Sequence, residues 1–473
     1  MNEVNGSSKD IENYLKSRDI NIITPSTFYT YIREWLEFYS GNVEGFHNYR
    51  FYNGVSYISA KRYSLGMAQK VAQDHASLLL NEKVKITTDF DSFQQLLDNV
   101  LKKNNFRVRA NQLVELAYSL GTGAFVEFLD ANKITNIDYV NALSIYPITV
   151  VNGDIVECAF ASEISSDKNG KTYYINIHRL DENGNYIIEN KKILADSNKL
   201  IQEIPSMDLA DTVVTNSPIP RFQIIKPNIV NNIDLNSAMG ISIFANSIDE
   251  LKAIDIVFDS YINEFKLGRK RVYVPISMVK AITDEAGITK PTFDSNDQMF
   301  YAVSEDAADK LTESNGELRF GAHEAALQKF LNLLSTKCGL GNDYYSFENG
   351  TAKTATEVIS EKSDLYSNLK KNELILESAI IGMVEAIADM NGYGADKINT
   401  TVAFDDSIIT DTEADANRAM LEFNSGIIDA VEYYKRAYKM SDDAAIKLRD
   451  EIAARKTPTA NPEESLFTDG DVE

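Results

Sequence analysis

Cysteine is almost absent from the chain. Two residues in 473, Cys158 and Cys338, stand far apart. A disulfide framework is therefore not expected, and a reducing compartment fits. Histidine is nearly as rare. His47, His75, His178 and His323 show no ligand spacing, and neither cysteine has a nearby Cys or His, so no metal site and no cofactor is expected. No run of about 18 apolar residues occurs, so no membrane span is expected. The first residues, MNEVNGSSKDIENYL, lack a basic start followed by an apolar stretch, and no signal peptide is expected. Positive charge is also short: 47 Lys and Arg against 70 Asp and Glu give a formal net charge of −23. That balance argues against a surface that wraps phosphate tightly, but not against one that DNA passes without sticking.

What is present is enough for a large core. Hydrophobic residues make up 44% and charged residues 25%, which excludes a chain disordered throughout. The length corresponds to about three ordinary domains. Aromatics are mostly Tyr (24) and Phe (22), with Trp35 alone. Tyr suits surfaces that are partly wet, such as subunit contacts, although ordinary cores use it too.

Apolar spacing of three and four predicts helices at 61–82, 91–104 and 109–120. Strands are expected at Val84–Thr87 and Ala124–Phe128. From there to about 225 the pattern is antiparallel β, with a hairpin turn at Asn152-Gly153 between two β-rich runs. A further turn falls at Lys168–Lys171 and another at Asp181–Gly184.

After Pro227 the pattern changes. A rod is expected from 242 to 267, about 37 Å long at 1.5 Å per residue. Phe244, Ile248, Leu251, Ile254, Phe258, Tyr261, Ile262 and Phe265 share one stripe, with Asp249, Glu250, Asp255 and Asp259 mostly elsewhere. A small acidic α/β insertion follows, and a second rod returns at 323–336. Two rods around a small insertion need neighbours for their stripes, either copies of the chain or the core of a monomeric α/β domain. A loop at 339–353 leads into a long helix, 354–391, with Val358, Leu365, Leu369, Leu376, Ile380, Val384 and Ile387 in register. A strand at 399–404 and helices at 411–423, 427–439 and 441–455 follow. The Pro-, Glu- and Asp-rich tail from 457 reads as disordered.

Several motifs carry competing readings. Asn169-Gly-Lys-Thr172 resembles the end of a P-loop, but Ser165 stands where the first glycine belongs and strands flank it, so a hairpin turn is expected. Gly121-Thr-Gly123 ends a helix instead of opening one and reads as a stop. Asp405, Asp406 and Asp411 could bind metal, as in a nuclease, yet acids before helices also cap them. Lys266, Arg269, Lys270 and Arg271 form the densest basic patch, open to a phosphate or partner contact or to the role of cations at a helix C-terminus. Tyr344, Tyr345 and Phe347 either fold back on the core or point into an opening.

Four segments, in order, resemble the portal proteins of tailed phages that infect Gram-positive bacteria. They are Lys70–Ile86, Ala117–Phe125, Thr354–Val358, and Phe404–Asp411 with Ser425–Ile428 and Ser441–Ala445. The resemblance spans about residues 30–455. It implies an α+β portal fold: wing 1–235, first stem helix 236–267, α/β clip 268–320, second stem helix 321–338, tunnel loop 339–353, long kinked helix and wing return 354–400, and all-α crown 401–456. It also implies a homo-oligomeric ring of about twelve copies, without enzymatic activity, at one capsid vertex of the virion, assembled in the host cytoplasm. The implied partners are non-specific double-stranded DNA, a terminase motor, the major capsid protein and a head-tail adaptor. The implied DNA-facing residues are Tyr344, Tyr345, Phe347 and Lys353. The clip's acidity departs from the family pattern and leaves its partner surface open. Another virion structural protein, a minor capsid or baseplate component, and a metal-dependent nuclease are the rival functions.

Overall fold

The computed structural model describes residues 4–456 apart from 82, 168–169, 197–199, 206–209, 269–270, 276–280, 284–288, 292–299, 304–311, 315–316, 347–354, 395–397, 405–411, 439 and 441. The chain divides into two compact units, residues 1–404 and 405–473.

The larger unit opens with helices Val4–Ser17 and Phe28–Tyr39. The segment FYTYIREWLEFY is aromatic at so many positions that periodicity alone does not single out a helix. In the fold Phe28, Tyr29, Ile32, Trp35 and Phe38 are buried on one side. The Tyr29 hydroxyl donates to the Ile145 carbonyl at 2.6 Å, which ties this helix to the start of the large sheet. Helices Asp91–Lys103 and Phe106–Leu120 match the sequence expectation within three residues, whereas the helix expected at 61–82 is shorter, Met67–Leu79, because Tyr57–Lys61 pairs as a strand.

The large sheet is antiparallel, in the order Ile201–Ile204, Tyr186–Asp196, Gly170–Leu180, Asp154–Asp167, Ile145–Val151, and Thr212–Val214 also pairs with Tyr186–Asp196. Asn152 (φ 53°) and Gly153 (φ 89°) both take the left-handed conformation, as a tight two-residue hairpin turn requires. Gly170 opens its strand opposite Asp167, so the P-loop-like segment is a β-hairpin. A Cβ at Gly170 would lie 2.1 Å from the Ala195 carbonyl oxygen, so the glycine there serves strand pairing.

A three-stranded sheet, Phe222–Ile225, Gly123–Leu129 and Thr135–Asn141, packs against the long helix Ala355–Met390. The predicted stripe Leu365, Leu369, Leu376, Ile380, Val384 and Ile387 is buried there. Val358 lies where side chains fall outside the description. Arg221 crosses this junction, donating to the Ala386 carbonyl at 2.6 Å and to Asp389. Beside it the buried Glu127 carboxyl has no hydrogen-bond partner, and burial pushes its pKa up to about 8. It therefore holds its proton at neutral pH and spares the core a bare charge.

Both rods form, but the α-helix of the first starts at Ile248, six residues later than expected, so it spans about 30 Å at 1.5 Å per residue where about 37 Å was expected. A short 3₁₀ turn, Ala245–Ser247, leads into helix Ile248–Leu267, and Phe320–Lys337 returns antiparallel to it. Between them the regular elements among the described residues are strands. Arg271–Pro275 pairs in parallel with Phe300–Val303 and antiparallel with Thr312–Ser314, and Ala281–Thr283 pairs with Thr289–Pro291. The helical part of the expected α/β insertion has no counterpart among these residues. Thr400–Ala403 pairs with Lys85–Thr88, so residues 401–404 belong to the larger unit and not to the C-terminal helices.

The second unit holds Thr412–Asn424, Ala430–Tyr438 and Asp442–Lys456, close to the predicted helices. Phe423 stacks on Tyr433 at 5.0 Å, and Arg436 bonds Glu422 at 3.0 Å and Glu432 at 2.8 Å. Ala419 and Ala445 are its buried apolar residues among those described. The tail 457–473 lies outside the described residues.

Candidate functional site

One set of titratable and aromatic side chains gathers around the rods and the loop after them. The antiparallel pair is cross-linked along its length. Lys337 meets Glu250 at 2.8 Å near the base. Farther out His323 stacks on Tyr261 (5.5 Å), and its Nε2 shares a hydrogen bond with the Ser260 hydroxyl at 3.1 Å. Near the far end Glu264 takes a two-pronged grip from Arg319, at 3.1 Å and 2.7 Å, and a third bond from the Arg319 backbone N–H. Those bonds hold the Glu264 carboxyl well below the usual carboxylate range.

Cover for the rods is uneven. Leu251, Ile254, Leu331 and Leu334 are buried. Ile256, Phe265, Leu318, Phe320 and Leu333 remain exposed, from 37% to 57%. Along the predicted stripe Phe244, Leu251 and Ile254 are buried, Ile248, Phe258, Tyr261 and Ile262 are half-buried and Phe265 is exposed, so a single chain covers the rods only in part.

Asp255, which the periodicity placed off the apolar stripe, is buried and anchors the first rod. Its carboxylate accepts from His47 Nε2 at 2.9 Å, Ser64 Oγ at 3.0 Å and the Leu65 N–H at 2.7 Å. The Val43 backbone N–H donates to His47 Nδ1 at 2.8 Å, so the proton of the imidazole sits on Nε2. One carboxylate therefore joins the rod to the chain on both sides of residues 48–61. The sequence signal for it was weak: an acid between Ile254 and Ile256 on an otherwise apolar stretch.

The loop after the second rod begins with a left-handed glycine cap. Gly339 (φ 77°) allows the Leu340 N–H to reach the Ser335 carbonyl at 2.9 Å and its own N–H to reach Thr336 at 3.1 Å. His75 Nε2 donates to the Cys338 carbonyl at 3.0 Å, and burial lowers its pKa to about 4, so it stays neutral. The Tyr345 hydroxyl donates to Asp74 at 2.9 Å, and Lys70 meets the other oxygen of that carboxylate at 2.5 Å. Gln328 donates to the Tyr345 carbonyl at 3.0 Å.

The expected site residues thus separate. Tyr345 is turned back onto helix Met67–Leu79 and anchors the loop. Tyr344 stands edge-on to it (5.0 Å) and is exposed. Phe347 and Lys353 lie outside the described residues, as do Arg269, Lys270, Asp405, Asp406 and Asp411. Lys266 bonds the Tyr63 hydroxyl at 2.8 Å and lies over its ring at 4.3 Å. Arg271 occupies a paired strand, and its side chain is outside the description.

Little of this is reactive chemistry. Among the described residues no three His, Cys, Asp or Glu side chains gather closely enough to hold a metal ion, and no helix is long and apolar enough to cross a membrane. Both thiols are buried, and burial pushes Cys338 up to about 12, which makes it a poor nucleophile. The arrangement braces a pair of rods and ties Tyr345 to helix Met67–Leu79.

No curated protein matches the chain. A family model described as "Phage portal protein, SPP1 Gp6-like" matches residues 25–458.

Proposed function

The chain belongs to the phage portal protein family, and from that premise we propose that about twelve copies close into a ring at one capsid vertex. Double-stranded DNA would pass through its axis during packaging and ejection. The observation that supports a ring most directly is the pair of rods, braced along their length yet left half-covered. An apolar stripe at that exposure lowers its free energy by about 25 cal/mol for each Å² covered, and a neighbouring copy supplies the cover.

Charge supports the conduit. Each Lys or Arg contact to phosphate adds salt-dependent affinity and slows sliding, whereas a chain of net charge −23 repels the duplex. DNA contact is then sparse and blind to sequence. In this reading Tyr344, Phe347 and Lys353 meet the duplex, and Tyr345 holds the loop that carries them. The basic residues Lys266, Arg269, Lys270 and Arg271 mark the neck above the insertion that meets the terminase motor and later the head-tail adaptor. The protein is a structural component of the virion, assembled in the host cytoplasm beside the major capsid protein, and the ATPase is a separate protein.

Native mass spectrometry and negative-stain imaging of the purified protein test the ring. A closed particle with an axial hole is expected. A monomer at every concentration, with no ring in capsid lysates either, would sink the proposal. The loop has its own test: shortening residues 342–351 should leave rings intact while packaged DNA falls to a small fraction of normal. Unchanged packaging removes the loop from that role.

A further inference from the structure

A two-stranded hairpin, Asn48–Tyr52 against Tyr57–Lys61, stands apart from the other sheets. Its register sorts the side chains cleanly. Tyr49 and Phe51 share one face with their partners Ala60 and Ile58, while Arg50, Tyr52, Tyr57 and Lys61 share the other. Phe51 (44%) and Ile58 (40%) are nevertheless exposed, on the face a hairpin normally buries. An isolated two-stranded hairpin is marginal in water unless it packs on something.

This hairpin is built to be rigid. At its tip the Asn53 side chain accepts from the Val55 and Ser56 N–H groups at 2.9 Å and 2.8 Å. At its root Arg62 lies over the Phe46 ring (4.3 Å) and the Tyr49 ring (5.0 Å) and bonds the Phe46 carbonyl at 2.6 Å. The Tyr63 N–H then meets Asp259 on the first rod at 3.1 Å. The result is a fixed arm of about 17 Å at 3.3 Å per residue, rooted beside the rods.

We propose that residues 48–61 are the arm by which each copy grips the next one around the ring, with Phe51 and Ile58 set against the exposed apolar side of the neighbour's rods. This rests on the ring reading above. Charge favours a second copy as the occupant. Residues 48–63 contain Arg50, Lys61 and Arg62 and no carboxylate, in a chain of net charge −23. Copies of this chain repel one another, and the arm is a segment that another copy attracts. The arm and the rods are different surfaces, so the contact runs head to tail, the kind that closes rings. DNA fits less well, because Arg62 is spent on the root and the two free cations lie on the face opposite Phe51 and Ile58.

The double variant Phe51→Ser/Ile58→Ser, compared with the unaltered protein by native mass spectrometry, tests the arm. The expected result is an unchanged melt with ring formation moved to about tenfold higher concentration or more. Rings at the unaltered concentration overturn the proposal. So do intact rings that have lost salt-dependent binding of double-stranded DNA, which would make the arm a nucleic-acid contact. If the double variant misfolds, Val55→Cys serves instead. Val55 is 86% exposed and both native cysteines are buried, so a photoreactive maleimide goes to the tip. Copy-to-copy cross-links are expected, and rings that give none overturn the arm alone. Absence of rings from the unaltered protein overturns the ring reading and the arm with it.

Discussion

Gly240→Ala is expected to leave the larger unit unable to fold in soluble form. At this point two backbones cross with no room for a side chain. A Cβ at Gly240 would lie 2.2 Å from the Gly121 carbonyl oxygen and 2.8 Å from Lys226 Cβ. The reverse approach is as close, since a Cβ at Gly121 would lie 2.5 Å from the Gly240 carbonyl oxygen. Neither segment can step aside. The Gly240 N–H donates to Thr122 Oγ1 at 3.0 Å, and the Ile243 N–H donates to the Tyr118 carbonyl at 2.9 Å. Met239, Ile241 and Phe244 are buried on either side. Overpacking a side-chain core costs about 1–3 kcal/mol, and a clash between backbones pinned at both ends exceeds that. Gly121→Ala adds the strain of a left-handed φ of 88°. Soluble yield and thermal melting measure the effect. Gly321→Ala is the control, since a Cβ there meets nothing within 4 Å. Melting of Gly240→Ala within a degree or two of the unaltered protein would rule out the close crossing.

Asp255→Ala should be the second most damaging change. It strands a buried donor, the His47 Nε2–H, and a half-buried one, the Leu65 N–H, and removes a partner of the Ser64 hydroxyl. A buried donor left without a partner costs about 1–3 kcal/mol. The total of about 2–3 kcal/mol should lower the urea midpoint clearly and speed hydrogen exchange at Leu65. Asp259→Asn, on the same helix and less buried, should change the midpoint little. Equal midpoints for Asp255→Ala and Asp259→Asn would mean that the anchor carries no weight. The functional consequence lies at the rods. Asp255 and the Asp259–Tyr63 bond fix the angle at which they leave the body, and the loop after the second rod follows that angle.

The contrast between these two sites shows what a sequence discloses. Gly121 was legible as a helix stop, because glycine after an apolar run is a local signal. Its partner, Gly240, lies more than a hundred residues away, and no local pattern relates them. Likewise the strands at 84–87 and 399–404 were both expected, but their pairing was not. Tyr345 shows the same limit at the loop. Aromatics in a glycine-rich segment are equally compatible with facing inward or outward, and Asp74 on a distant helix decides the matter for Tyr345 while Tyr344 stays exposed.

The sequence by itself determined the elements whose cause is periodic or local: the amphipathic helices, the Asn-Gly hairpin, the two rods, the long helix with its buried stripe, and the ordered segments that resemble a portal. Only the tertiary structure decided which acid is buried, where two glycines let backbones cross, and which apolar residues one chain leaves uncovered. The physical reason is range. Hydrogen-bond spacing along a helix or strand is written within a few residues, whereas burial depends on what the rest of the chain brings alongside, and charge and apolar pattern alone cannot say which partner arrives.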